Sequence, residues 1–310
     1  MLERGRSLWS IVLAGGAGKR LASLTRALYG HELPKQFAVL TGRRSLLQAT
    51  VDRATSLSPP ERIAVVVSRE HERLAREQLR EWPGIHILVQ PRNLDTGPGI
   101  LLALDFVRRR DRAADVAVLP SDHHVTSPAA LLDAIERARA ALRIDPGTAT
   151  LLGAEPDRAD PDYGWIVAGR SLGRFGMHRV QHFVEKPPAP IAERLHRMGG
   201  LWNTFVMVAT VEMLWASAAA RLPVHAEAIR AGDIDGAYRT LSPAGFSREV
   251  LERTPALAVL RLAGAGWSDW GTPRRVFQSL AGTPDHDRLI ARITAPRRQV
   301  APEPALARVA

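Results

Sequence analysis

Short apolar runs alternate with longer amphipathic segments through the first half of the chain, a pattern that predicts strands joined by crossover helices. The runs at 8–14 (LWSIVLA), 63–68 (IAVVVS), 85–90 (IHILVQ), 116–120 (VAVLP) and 149–154 (ATLLGA) have the length of buried strands. Between them, helical periodicity covers 45–56, 70–82, 99–110 and 128–143, the last with Leu131, Leu132, Ile135 and Leu142 at helical spacing. Ser127 before Pro128 reads as an N-cap followed by a first-turn proline. After about residue 155 the texture changes. The segments 163–168 (YGWIVA), 179–185 (RVQHFVE), 204–210 (TFVMVAT) and 257–262 (LAVLRL) read as strands separated by loops, with one helix at 211–221. The predicted fold is α/β, a mostly parallel sheet flanked by helices and continued by a mixed extension. From residue 283 the chain is rich in Arg, Pro and Ala without sustained periodicity, so 283–310 is expected to be a weakly ordered tail.

Composition narrows the class. A chain of 310 residues, 45% hydrophobic and 24% charged, can bury a substantial core. No apolar run approaches the ~20 residues of a membrane helix, and the opening MLERGRSLWS lacks the apolar stretch of a secretory signal. With no cysteine there is no disulfide framework, thiol nucleophile or thiolate metal site, and a cytoplasmic protein with no membrane partner is expected. The net charge of +10 suits anionic partners. No basic run is interleaved with aromatic residues, so small phosphorylated substrates are expected in place of nucleic acid. Among 42 basic residues only Lys19, Lys35 and Lys186 are lysines. Ammonium and guanidinium do not interchange where one phosphate oxygen must be met, and all three lysines fall within the motifs that follow.

The first motif, AGGAGKRL at 14–21, follows the first predicted strand. Glycines let backbone N–H groups approach phosphate oxygens. The loop is not a P-loop, because Leu13 stands where glycine is needed and Arg20 where Ser or Thr is needed. It is not the dinucleotide fingerprint either, because Leu21 occupies the third glycine position. What is left is Gly-Gly-x-Gly-x-Arg-Leu with LPKQF downstream at 33–37.

With GGAGKRLASLTR at 15–26, PKQF at 34–37, PRNLDTGPGI at 91–100, PSDHHV at 120–125, DYGWI at 162–166, FVEKP at 183–187, LWNTF at 201–205 and WSDWG at 267–271, the chain resembles the sugar-1-phosphate nucleotidylyltransferases. It looks most like the mannose-1-phosphate guanylyltransferases, over 11–276. The resemblance implies a Rossmann-like catalytic domain over 1–282, with a nucleotide-binding part at about 1–155 and a sugar-binding part at about 156–282. It implies in-line attack by a sugar-1-phosphate oxygen on the α-phosphorus of a nucleoside triphosphate, which needs positioning and electrostatic stabilisation more than a base.

The same resemblance assigns roles. Arg20, Lys35 and Asp122 are the expected catalytic residues. Gly15, Gly16, Gly18, Lys19, Asn93 and Thr96 are expected on the nucleotide, although Lys19 falls at a variable position. Gly164, Glu185, Lys186 and Asn203 are expected on the sugar phosphate, and Asp122 and Asp269 on Mg²⁺. His123 and His124 are adjacent, point apart, and read as structural or as supports behind the ligands. The chain departs from the pattern at Ser23, at Leu94-Asp95, at Gly97 and Gly99, and at Phe205. GTP and mannose-1-phosphate are the expected substrates; another pair, such as glucose-1-phosphate with a different triphosphate, or a non-catalytic nucleotide-sugar sensor, are the alternatives. Oligomeric state is left open, a homo-oligomer included.

Overall fold

Branched apolar runs become strands because their side chains pack on both faces of a sheet covered by helices. The computed structural model describes residues 5–173 and 175–295. Its strands are β1 (Leu8–Leu13), β2 (Ile63–Ser68), β3 (His86–Gln90), β4 (Asp115–Pro120), β5 (His124–Val125), β6 (Ala149–Ala154), β7 (Gly164–Ser171), β8 (Met177–Glu185), β9 (Leu201–Thr210), β10 (Leu257–Arg261) and β11 (Trp267–Ser268). Nine of them form one sheet in the order β3-β2-β1-β4-β9-β6-β10-β8-β7. The β3-β2-β1-β4 half is parallel throughout.

The second half is a mixed continuation of the same sheet, with a closure that was not expected. β9 runs antiparallel between β4 and β6, and β7 pairs with β9 as well as with β8. That extra pairing curls β9-β6-β10-β8-β7 into a small closed, barrel-like sheet. Strands from beyond residue 155 therefore sit on both sides of β6. Local periodicity could not show this, because closure is set by long-range pairing.

Helices follow their caps. Ser45 and Gln48 form a reciprocal capping box at the start of the helix Leu46–Thr55. The helix predicted from 99 begins earlier, at Thr96–Arg110, because Asp95 caps it and Pro98 falls in the first turn, where an N–H is not required. Ser127 occupies the N-cap of Pro128–Leu142 without a side-chain cap bond. The expected weak order from 283 is corrected in part: Pro284–Thr294 is a helix capped by Thr283. Its Leu289 is fully buried with Leu21, Leu24, Leu40, Trp270, Val276 and Leu280. The sparse apolar residues of that segment pack on a cluster drawn from distant parts of the chain. Residues 296–310 lie outside the described residues.

Candidate active site

Two short strands assemble the centre of the site. β5 pairs antiparallel with β11, His124 opposite Ser268 and Val125 opposite Trp267, which brings PSDHHV against WSDWG. The ammonium of Lys35, buried beneath, joins the two segments: its Nζ lies 2.9 Å from Asp122 Oδ2 and donates to the Asp269 carbonyl oxygen at 2.6 Å. Asp122 and Asp269 both line a cleft of about 860 Å³ at the C-terminal ends of the parallel strands.

The glycine loop forms one wall. Gly18 has φ +62°, and a Cβ there would stand 2.4 Å from the Lys35 backbone nitrogen, so no other residue fits this turn without displacement. The Gln36 side-chain amide, buried below the loop, donates to the carbonyls of Ala14 (3.0 Å) and Gly16 (2.7 Å). No described residue accepts a hydrogen bond from the N–H of Gly15, Gly16, Ala17 or Gly18. Successive unused backbone donors on a cleft wall are an anion nest. Arg20, on the same wall, leaves its guanidinium largely exposed, 4.0 Å from both Asp162 and Asp269. Asn93 and Thr96 also line the cleft. Asn93 accepts from the Asp95 N–H (2.9 Å), and Thr96 Oγ1 accepts from the Phe246 N–H (2.8 Å).

The opposite wall comes from the barrel-like sheet. Gly164 on β7 pairs with Glu185 on β8, and a Cβ at Gly164 would meet Glu185 Oε2 at 2.5 Å and Asn203 Cβ at 3.2 Å. The glycine lets Glu185 and Asn203 converge. Lys186, at φ +48°, turns out of the strand with its ammonium exposed, 3.9 Å from Glu185. Among the described residues, five non-glycines occupy the left-handed region, and four of them, Asp95, Lys186, Phe205 and Trp270, lie on or beside this cleft. Strain of this kind concentrates at functional sites.

Electrostatics separate the carboxylates. Burial pushes Asp122 up, but the Lys35 ammonium, His123 and hydrogen bonds outweigh it and hold the group at about 2. Burial lowers His123, whose Nδ1 accepts from Trp267 Nε1 at 3.2 Å and whose Nε2 lies 3.5 Å from Asp122 Oδ1. His124 stacks on Trp270 with centroids 4.1 Å apart. Glu185 is raised, by burial first, with Lys186 and Ser247 opposing.

Lys19 and Lys35 are not brought to the cleft wall: Lys19 is exposed elsewhere, and Lys35 is buried behind Asp122. Nor does the +10 excess reside in the cleft, which is lined by six carboxylates (Asp95, Asp122, Asp162, Glu185, Glu249, Asp269) against Arg20, Lys186 and Arg248. With that balance the cleft carries a surplus of negative charge, and Asp122 and Asp269 are the carboxylates that the β5–β11 pairing brings together there. Among the described residues no group of three His, Cys, Asp or Glu side chains could enclose a metal alone. Two carboxylates completed by phosphate oxygens and water suit Mg²⁺.

Several site residues escaped the sequence reading. Tyr163 donates to Asp269 Oδ1 (2.6 Å) and stacks on Trp202 at 4.2 Å. It lay inside a recognised motif, whose position alone was the available signal. Arg275 donates to Asp269 Oδ2 (3.1 Å) and Asp160 Oδ2 (2.6 Å), with Asp162 at 3.3 Å and its guanidinium 4.7 Å above the Tyr163 ring. In so arginine-rich a chain nothing local marked it. Gln36 and Gln90 were equally silent; buried Gln90 meets the cleft beside Gly15 and accepts from the Tyr238 hydroxyl at 3.1 Å.

Comparison with known proteins places this cleft among relatives. The profile of the Nucleotidyl transferase family matches residues 9–284. The xanthan biosynthesis protein XanB of Xanthomonas campestris pv. campestris is 32% identical over 278 residues, covering 84% of this chain and 57% of that protein. The mannose-1-phosphate guanylyltransferase ManC of Salmonella typhimurium is 30% identical over 305 residues, covering 92% of this chain and 62% of that protein. A crystal structure described as a mannose-1-phosphate geranyltransferase from Thermus thermophilus matches with a TM-score of 0.77 at 28% identity, over 90% of this chain and 80% of that one. The chain thus spans 57% and 62% of the two curated relatives' lengths.

Proposed function

The chain belongs to the nucleotidyl transferase family, and from that premise we propose that it transfers a nucleotidyl group from a triphosphate, GTP, to mannose-1-phosphate, releasing pyrophosphate. The observation that carries the reading is the cleft itself. A wall of unused backbone N–H groups with Arg20 faces a wall bearing Glu185, Lys186 and Asn203, and Asp122 and Asp269 stand with them on the same cleft. One wall suits a triphosphate, the other a phosphorylated sugar. Similarity to ManC and to the Thermus structure supports the choice of base and sugar.

In this reading, a phosphate oxygen of the sugar-1-phosphate forms a bond to the α-phosphorus while the bond from that phosphorus to the pyrophosphate oxygen breaks. The nucleophile is already anionic near neutral pH, so the chain's residues position and neutralise. The glycine-loop N–H groups and Arg20 hold the triphosphate and the departing pyrophosphate. Lys186 meets the sugar phosphate, while Glu185 and Asn203 orient the hydroxyls. Lys35 acts from behind, holding Asp122 ionised and tied to position 269; Tyr163 and Arg275 fix the Asp269 carboxylate. Asp122 and Asp269 would hold Mg²⁺, which would supply charge neutralisation to the phosphates.

Four triphosphates tested against a panel of sugar-1-phosphates, with Mg²⁺ present and pyrophosphate measured, decide the matter. Turnover is expected with GTP and mannose-1-phosphate. No turnover with any pair overturns the enzyme reading. Preference for another pair overturns only the substrate, and Phe205, at φ +59° on the cleft wall, is the feature that favours this second outcome.

A further inference from the structure

A second cavity of about 440 Å³ shares only His123 with the first cleft and is otherwise formed by the 41–44 loop, the helix Leu46–Thr55 and the segment after His123. Its cations are Arg43, Arg44 and Arg53, its one carboxylate is Asp52, and Thr41 and Ser56 add hydroxyls. Arg44 is already committed, to Asp52 at 3.2 Å and to Glu81. The other two are not. Arg53 is only 9% exposed, yet of its N–H donors only Nη2 is used, toward Thr50 Oγ1 at 2.6 Å. Among the described residues no carboxylate stands within 4.0 Å of it. Arg43, at the exposed rim, has no described partner.

A buried guanidinium that makes no ion pair is costly, and Asp52, itself paired with Arg44, offsets only part of that cost from a distance. Burial lowers Arg53 to about 10, which leaves it cationic at neutral pH. We propose that this cavity is a binding site for phosphate or a small phosphomonoester, with Arg53 as its buried anchor and Arg43 as its rim cation. A guanidinium fork matches two phosphate oxygens at once. The cavity is larger than a phosphate alone requires, leaving room for a sugar-sized body. The proposal does not depend on the reaction assigned to the first cleft.

Inorganic phosphate and mannose-1-phosphate are titrated separately into the full chain, following the backbone amide resonances of Gly42, Arg53 and Ser56, which border this cavity and not the first cleft. Saturable shifts are expected, and the ligand with the lower Kd identifies the source. In Arg53→Met, which keeps the aliphatic stem, binding at these amides weakens roughly tenfold or more, as expected for a lost charge-assisted hydrogen bond. Should that variant fail to fold, Arg43→Gln, at an exposed position, weakens the same titration severalfold without altering the spectrum of the free protein. Amides that both ligands leave unmoved, or shifts that persist with unchanged Kd in the variants, overturn the proposal.

Discussion

Asp122 and Glu185 show how one cleft sets two carboxylates apart. Asp122, held at about 2, is ionised throughout the working range. Its folded pKa is depressed, so its stabilising contribution is present above the ordinary carboxylate value and is lost only as pH falls through about 2. Asp122→Asn is therefore expected to lower kcat for pyrophosphate release about a hundredfold or more while the circular dichroism spectrum is retained. Glu185 behaves oppositely. Burial raises its folded pKa, so its contribution favours folding below the ordinary Glu value and turns unfavourable as pH rises through the folded pKa. Glu185→Gln should raise the thermal midpoint at about pH 7, and the gain should vanish below about pH 4. The same variant is expected to raise KM for the sugar phosphate roughly tenfold. A midpoint that does not rise at neutral pH would show that Lys186 and Ser247 fully compensate the buried charge.

At the scale of elements, the glycine loop and the short β5–β11 pair carry the geometry. Gly16 and Gly18 make different demands: a Cβ at Gly16 meets nothing within 4 Å, whereas one at Gly18 collides with the backbone of Lys35. Gly18→Ala should cost about 1–3 kcal/mol in chemical denaturation. Gly16→Ala should leave stability within about 0.5 kcal/mol while weakening triphosphate binding, because its methyl stands before the backbone donors. Arg275 belongs to this scale too, because its short helix, Pro273–Leu280, leads out of WSDWG and carries the guanidinium back onto Asp160 and Asp269. Removing one partner of such a buried network leaves charge uncompensated. Arg275→Met should destabilise by about 3–5 kcal/mol and reduce activity beyond what unfolding explains, measured well below the thermal midpoint.

Across the whole molecule, one apolar cluster ties the C-terminal helices to the glycine loop and the WSDWG segment. Leu289 shares a buried cluster with Leu21 and Leu24 from the helical segment after the glycine loop, and with Trp270, the residue after Asp269. Leu289→Ala is expected to cost about 2–5 kcal/mol and to lower activity through the glycine loop, although it lies outside the cleft; unchanged stability would show that the helix docks without consequence. Much of this architecture was legible in the chain. Strands β1, β2, β4 and β6 were readable because a buried run is apolar whatever packs upon it, and Asp122, Arg20 and Glu185 were readable because each stands in a short motif. Arg275, Gln36 and the C-terminal helix were not, since their partners lie far off along the chain and their own neighbours carry no sign of them. Closure of the barrel-like sheet through β7 and β9 was hidden for the same reason. The sequence by itself determined the alternation of elements, the loop chemistry and the residue types available to meet phosphate, because these rest on interactions within a few residues. Only the tertiary structure decided which of those residues share a cleft, which lysine stands behind it and how the excess positive charge is distributed, because long-range pairing and burial act between groups that no local window contains.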